Sequence, residues 1–282
     1  MNAQTATAKS ATDKAAAHSR ELILLREDRS GIAILTLNRP QARNSLSQAL
    51  LESLSDALTA IAHERSVRAV IIAANGPVFS AGHDLKELNA HRSDPDRGRA
   101  FFKHIMGLCS TVMQQIVMLP QPVIAAVHAT ATAAGCQLVA SCDLAIASHA
   151  AKFATPGVNI GLFCSTPMVA VSRNVPRKHA MEMLLTGDMI SAEDAQQIGL
   201  VNRVVAAGQE HAEAFKLAEK IAGKSMLTVK IGKEAFYRQA EMPLAEAYKY
   251  TSDVMVENML ARDAEEGISA FIEKRDPTWQ DK

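Results

Sequence analysis

Val123-Ile-Ala-Ala-Val-His-Ala-Thr-Ala-Thr-Ala-Ala-Gly-Cys-Gln-Leu138 begins as a strand and ends as a helix, with only small residues between. Its first five residues have the length of a buried strand, and Pro120-Gln-Pro122 punctuates the chain before them. A short helix is expected near residues 137–141. A second stretch has the same character: Val78-Phe-Ser-Ala-Gly-His-Asp-Leu-Lys-Glu-Leu88 is a small-residue loop opening into a helix from about Asp84. Small residues let a ligand approach the backbone, and a helix start exposes unpaired N–H groups. Two such N–H groups aimed at one oxygen would stabilise charge developing on a carbonyl. By spacing alone, tight strand–helix packing accounts for the same residues.

Outward from these loops the pattern stays regular. Residues 21–25 and 31–37 read as two short strands around the turn segment Asp28-Arg-Ser-Gly31. From Ser47 the residues Leu50, Leu54, Leu58 and Ile61 recur at helical spacing. Residues 67–73 form a strand-like run ended by Asn75-Gly-Pro77, a longer helix spans 99–119, and Leu144–Ser148 is another strand. Strand–helix–strand repetition implies parallel strands with helical crossovers. Further on, Ser191-Ala-Glu-Asp194 reads as a helix cap, Gly199 as that helix's stop, and residues 200–205 as one more strand. Residues 208–240 and 242–262 then read as helix only, with Leu244, Tyr248, Thr251, Met255 and Met259 on one face. Residues 1–20, rich in Ala, Thr and Ser and without the apolar stretch of a secretory signal, read as a disordered tail.

Composition excludes several functions. A chain of 282 residues suits one large domain or two small ones. Thirty Lys and Arg against 30 Asp and Glu leave no net charge, so neither nucleic acid nor an acidic membrane is an expected partner. The longest apolar run, Ala69–Ala74, is far short of the ~18 residues that span a bilayer. Cys109, Cys136, Cys142 and Cys164 form no C-x-x-C pair, which argues for reduced core thiols rather than a disulfide framework or a zinc site. Phosphate-loop, dinucleotide, zinc-protease and nucleophile-elbow motifs are absent.

Five segments, taken in order and spacing, resemble the crotonase superfamily, the enoyl-CoA hydratase/isomerase family, over roughly residues 21–275. They are Leu37-Asn-Arg-Pro-Gln-Ala-Arg-Asn44; Phe79-Ser-Ala-Gly-His-Asp-Leu-Lys86; Pro122-Val-Ile-Ala-Ala-Val127 running into Gly135-Cys-Gln-Leu138; Cys142-Asp-Leu-Ala-Ile-Ala147; and Met183-Leu-Leu-Thr-Gly187 with Ile190-Ser-Ala-Glu-Asp-Ala195 and Gly199-Leu-Val201. The resemblance implies an α/β crotonase (ClpP/crotonase-like) fold of repeated ββα units, with a core over 21–205 and a C-terminal helical trimerisation region over 206–282. It implies an acyl-CoA thioester as partner, a homotrimer or homohexamer, no metal, and no cofactor, coenzyme A being part of the substrate. The thioester oxygen would be held by the backbone N–H groups at His83 and Ala134, leaving the His83 side chain to cap a helix or lie on the surface. Ala42, Arg43, Ala81, Gly82, Asp84, Lys86 and Gly135 fall on the implied substrate-binding segments. Arg43 and Lys86 stand where a cation suits the CoA phosphates.

The departures from the family pattern are chemical. The hydratases of the family carry two glutamates that handle water and protons; here Gln137 and Gly157 stand at those positions. A third position, an aspartate in some isomerases and dehalogenases, holds Ser165. General acid–base assistance is worth about 10²–10⁴-fold, so efficient hydration is not expected. Restoring both carboxylates, Gln137→Glu with Gly157→Glu, is expected to raise hydration. His104 lies near a catalytic histidine of one dehalogenase branch, His128 is expected to pack its turn, and Cys164 with Ser165 lacks an adjacent base. Phe163-Cys-Ser-Thr-Pro167 resembles a branch of the family lacking the same glutamates. The expected function is acyl-CoA binding with thioester-enolate stabilisation, the rival a non-catalytic acyl-CoA-binding or assembly subunit. The expected compartment is the cytoplasm, or the mitochondrial matrix for a eukaryotic source.

Overall fold

The computed structural model describes residues 23–282, so the tail expected over residues 1–20 lies outside the described residues. Strands β1 (Leu24–Arg29) and β2 (Ile32–Leu37) form an antiparallel hairpin. Its turn is tighter than the sequence suggests. Only Ser30 and Gly31 leave the ladder, with φ of 52° and 75°, while Asp28 and Arg29 pair with Ala33 and Ile32. Two consecutive positive-φ residues match the twist of the flanking strands, which moves the first strand several residues downstream of its expected place.

Strands β3 (Ala69–Ala74), β4 (Val123–Val127), β6 (Leu144–Ser148) and β9 (Arg203–Val205) extend this hairpin in parallel, giving six strands in the order β1-β2-β3-β4-β6-β9. A smaller sheet joins β5 (Ala131–Thr132), β7 (Lys152–Ala154) and β8 (Ile190–Ser191). The two-residue alternation of a strand divides the large sheet between two cores. Val70, Ile72, Val123 and Ala125 face a cluster that includes helices α1 (Gln48–His63) and α3 (Arg99–Met118). Ala69, Ile71, Ala73, Ile124 and Ala126 face the other way, onto Ala214 and Ala218 of a helix over Glu210–Ala222. Both faces are covered, which is why these strands read as continuous apolar runs.

Helix α1 starts at Ser47, whose hydroxyl accepts from the Leu50 N–H, and buries Leu50, Leu54, Leu58 and Ile61 as their spacing implies. The short helices are α2 (Leu85–Ala90), α4 (Ala134–Ser141), α5 (Pro167–Asn174), α6 (Arg177–Thr186) and α7 (Ala192–Gln197). The expected cap at Ser191 is a full capping box with Asp194, and Gly199 takes the left-handed conformation just past the helix. The C-terminal run is four helices rather than two: α8 (Glu210–Ala222), α9 (Met226–Gln239), α10 (Leu244–Met259) and α11 (Arg262–Glu273). Ser225 caps α9, Pro243 precedes α10, and extended backbone at Ala261 separates α10 from α11.

A buried polar clamp ties α9 to the sheet. Lys233 Nζ donates to Asp143 Oδ2 at 2.7 Å and to the carbonyls of Ile116 and Gln121, each at 3.0 Å. Asp143 also accepts from Tyr237 Oη at 2.9 Å and from the Val123 N–H at 2.7 Å. Burial pulls the Lys233 ammonium below its usual pKa, with the Asp143 charge opposing.

Candidate active site

The two small-residue loops leave the carboxyl ends of β3 and β4, where a parallel sheet opens its crevice. They are stitched side by side. Phe79 N–H donates to the Thr130 carbonyl at 3.0 Å, and Thr132 N–H returns to the Ser80 carbonyl at 2.9 Å. The segment before α1 joins them, with Leu46 N–H on the Gly82 carbonyl at 2.7 Å and Ala81 N–H on the Arg43 carbonyl at 3.0 Å.

Two glycines permit this approach. At Gly82, with φ of 89°, a Cβ would stand 2.8 Å from Ala133 Cβ and 3.2 Å from Ala134 N. At Gly135 a Cβ would stand 2.3 Å from the Ser80 carbonyl oxygen, closer than any side chain tolerates. The chain around Gly82 and His83 is thereby pressed against the start of α4. Ala134 is the first residue of that helix, so its N–H has no partner within the helix. Among the described residues, neither the His83 N–H nor the Ala134 N–H donates a backbone hydrogen bond.

Ala133 supports this geometry at a cost. Its N–H donates to the Ala154 carbonyl at 2.9 Å, and its backbone is held at φ 50°, ψ −121°. That region suits glycine, and alanine there is strained. The sequence carried no sign of it.

The His83 side chain is neither a cap nor a surface group, contrary to expectation. Asp84 caps α2 instead, its Oδ1 accepting from Lys86 N–H at 3.2 Å and Glu87 N–H at 3.3 Å. Both ring nitrogens of His83 are sealed from solvent, and the ring lies against the Leu46 backbone. Burial pushes the imidazole below its ordinary pKa; a hydrogen bond with the Leu46 backbone works the other way.

Gln137 lies one turn into α4, buried, with Oε1 unpartnered. Gly157 is buried and walled in: a Cβ there would stand 2.8 Å from the Leu162 carbonyl oxygen and 2.9 Å from Cys164 Sγ. The expected rescue by a glutamate at 157 therefore has no room, because the 162–164 loop occupies the space. Ser165 is exposed and its hydroxyl turns back to the Phe163 carbonyl at 3.4 Å.

A second group of residues holds the first loop from below. Asn44 is fully buried: its Nδ2 donates to the carbonyls of Asn75 and Val78, and its Oδ1 accepts from Arg39 N–H. Arg39 Nη2 and Ser45 Oγ each donate to Asp84 Oδ2 at 3.1 Å. Burial alone would raise the Asp84 pKa, but these donors outweigh it and hold the carboxyl below its usual range. Asn44 was legible only as part of a motif; its role depends on carbonyls more than 30 residues away. Arg43 and Lys86 are exposed, and among the described residues neither forms an ion pair. Ala42 lies in the short 3₁₀ turn just before Arg43.

Other candidates fall elsewhere. His104 lies exposed on α3, and His128 Nε2 contacts the Gly76 carbonyl at 2.8 Å, packing its turn. All four cysteines are free and buried; burial pushes the Cys109 and Cys136 thiols up to about 12. Among the described residues no cluster of His, Cys, Asp and Glu could hold a metal ion, and no helix is long and apolar enough to cross a membrane.

Residues 27–282 match the family model described as Enoyl-CoA hydratase/isomerase. The chain is 49% identical over 249 residues to the human protein named enoyl-CoA hydratase domain-containing protein 3, mitochondrial, covering 88% of this chain and 80% of that one. It is 34% identical to the mitochondrial enoyl-CoA hydratase of Pongo abelii, over 89% of this chain and 84% of the relative. Among solved structures, an enoyl-CoA hydratase from Mycobacterium smegmatis superposes with a TM-score of 0.87 at 51% identity, covering 91% of this chain and 98% of that chain. The human domain-containing protein 3 superposes equally well, TM-score 0.87 at 48% identity, over 91% and 100%.

Proposed function

We propose that the protein binds acyl-CoA thioesters and stabilises their enolates, starting from the fact that the chain belongs to the enoyl-CoA hydratase/isomerase family and has the crotonase fold. The observation that carries the reading is the close approach of Gly82, the residue before His83, to Ala133 and Ala134, with the N–H groups of His83 and Ala134 unused. Two preorganised donors on one thioester oxygen would hold the charge that forms when a proton leaves the neighbouring carbon. Ala81, Gly82 and Gly135 shape that cradle; Arg43 and Lys86, exposed cations beside it, suit the phosphates of coenzyme A, with Ala42 adjoining.

Gln137 and Gly157 argue against hydration. Glutamine can orient water but has no usable pKa, and Gly157 supplies no functional group. Crotonyl-CoA hydration is expected to be far below the ordinary enzymatic range of ~1–10³ s⁻¹. Titration of the protein with butyryl-CoA tests the binding reading directly. Gly82→Ala, which drives a methyl between the two loops, should weaken that binding without unfolding the body. No heat of binding in the parent would sink the proposal. The rival, a non-catalytic binding or assembly subunit, is favoured by the walled-in position 157 and holds if acyl-CoA binds but no acyl carbon ever exchanges a proton. Assembly as a trimer or hexamer is supported by the apolar side chains left open on the C-terminal helices. We place the protein in the cytoplasm; a eukaryotic source would make the mitochondrial matrix the alternative, since similar animal proteins carry "mitochondrial" in their names.

A further inference from the structure

We propose that Ala133 is a positioning residue: its strained backbone aims the Ala134 N–H and its methyl sets the gap between the two loops, at the expense of stability. The proposal rests on the acyl-CoA reading above and deepens it at one residue. Ala133 stands between two fixed peptide planes. On one side its N–H donates to the Ala154 carbonyl of β7 at 2.9 Å. On the other its carbonyl accepts from the Gln137 N–H at 3.0 Å, inside α4. A trans peptide is rigid, with its N–H opposite its carbonyl. The Ala133 carbonyl points into α4, so the Ala134 N–H, across the same plane, points out of the helix start. The torsions that join the two planes are φ 50° and ψ −121°.

Other helix starts in the molecule are entered differently. Ser47 and Ser191 hold extended backbone, with φ of −74° and −71°, and fold a hydroxyl back over the first N–H groups of their helices. Ala133 enters α4 from the left-handed side of φ, and no side chain caps that helix. The unusual torsion therefore leaves the Ala134 donor uncovered. The methyl has a part of its own. A Cβ built on Gly82 would stand 2.8 Å from the Ala133 Cβ, so the methyl occupies the side of Gly82 where a side chain is missing. It keeps the loop that carries the His83 N–H from closing onto α4. Glycine at 133 would relieve the strain, but it would also widen the torsions open to the 133–134 plane and remove the spacer. A donor that must reorganise before it meets developing charge loses part of its electrostatic advantage. Alanine here gives up stability for a fixed donor, a common cost of a functional site.

The test compares an enolate with a plain ester on the full chain. Acetoacetyl-CoA is a β-keto thioester whose enolate is read by its near-ultraviolet absorbance. At fixed pH the parent should raise the enolate fraction of the bound ester above that of the free ester. Removing an oxyanion donor outright costs about 10²–10³-fold, so mis-aiming one in Ala133→Gly should lower the bound enolate-to-keto ratio about tenfold. Butyryl-CoA affinity, measured by calorimetry, should stay within about threefold, because an uncharged carbonyl gains little from the aim of its donors. Ala133→Ser retains a Cβ and should keep the parent's enolate fraction. A parental enolate fraction in Ala133→Gly would overturn the proposal, as would a serine variant that loses it as fully as glycine does. Equal losses for both esters in Ala133→Gly would also overturn it, since a residue that only shapes the pocket predicts that result. A parent that binds acetoacetyl-CoA without raising its enolate fraction overturns the proposal together with the two-donor reading. A parent that binds neither ester defeats the acyl-CoA reading itself.

Discussion

At the scale of single residues, the site is built from backbone positions that tolerate very little. Ala133 holds a φ of 50° that alanine adopts only under strain, immediately before the Ala134 N–H. The strain is worth about 1–3 kcal/mol, against the ~0.5–1 kcal/mol that a glycine costs through chain entropy. Ala133→Gly is therefore expected to stabilise the protein by about 1 kcal/mol, read as a rise in the urea midpoint. A lower midpoint would mean that the Ala133 methyl contributes more through packing against Gly82 than its backbone loses. Gly157 behaves oppositely. The double variant Gln137→Glu with Gly157→Glu should lower the thermal midpoint and leave crotonyl-CoA hydration no faster than in the parent. The side chain at 157 has to displace Cys164 and the Leu162 carbonyl before it can reach any substrate. Hydration rising above the parent rate would show that the 162–164 loop yields.

Between elements, one polar attachment holds the C-terminal helices to the sheet and another holds the last helix to the chain that follows it. Lys233 is 7% exposed and Asp143 15%, so removing one partner strands the other in a poorly solvated place. Lys233→Met is expected to cost about 3–5 kcal/mol in chemical denaturation, with the Ile116 and Gln121 carbonyls also losing their donor. Adding Asp143→Asn should cost much less than its single variant does, since the two groups act as one unit. Within the C-terminal segment, Glu266 of α11 accepts from Arg275 and from the Thr278 N–H. The Arg275 guanidinium, and then the Thr278 N–H, hold its carboxyl at about 2. A depressed acid stabilises the fold fully above its unfolded pKa, here 4.5, and loses that contribution as the pH falls toward about 2. The parent should therefore be more stable than Glu266→Gln near neutrality, with the gap closing through that acid window. A gap that is independent of pH would mean the carboxylate charge contributes nothing.

Across the whole molecule, the C-terminal helices leave apolar side chains in water. Leu244 is 75% exposed, Leu260 76% and Phe271 84%, alongside Tyr248, Met255 and Ile272. So many apolar side chains left exposed on neighbouring helices point to an interaction face. Light scattering is expected to give a trimer or a multiple of it, and Leu260→Asp with Phe271→Asp to give a monomer whose circular dichroism matches the parent. A parent that is monomeric at micromolar concentration would remove the face from the assembly and leave it needing another partner.

Much of this protein could be read along the chain because its determinants are local or periodic. The runs at 69–74 and 123–127 are apolar throughout because both faces of the sheet are covered, and α1 follows the spacing from Leu50 to Ile61. The Ser191–Asp194 cap and the two small-residue loops are likewise signals within a few residues of each other. What only the tertiary structure decided depends on atoms distant in sequence. The hairpin turn narrowed to Ser30 and Gly31 because ladder register, not turn composition, ends a strand. The strain at Ala133 comes from docking against Gly82 and Ala154, and the closure of position 157 from a loop five to seven residues downstream folding back over it. The burial of the His83 imidazole depends on the segment before α1 pairing beside it at Leu46. A sequence states which side chain occupies a position; whether that side chain meets water, a partner or neither is settled only when the chain has closed around it.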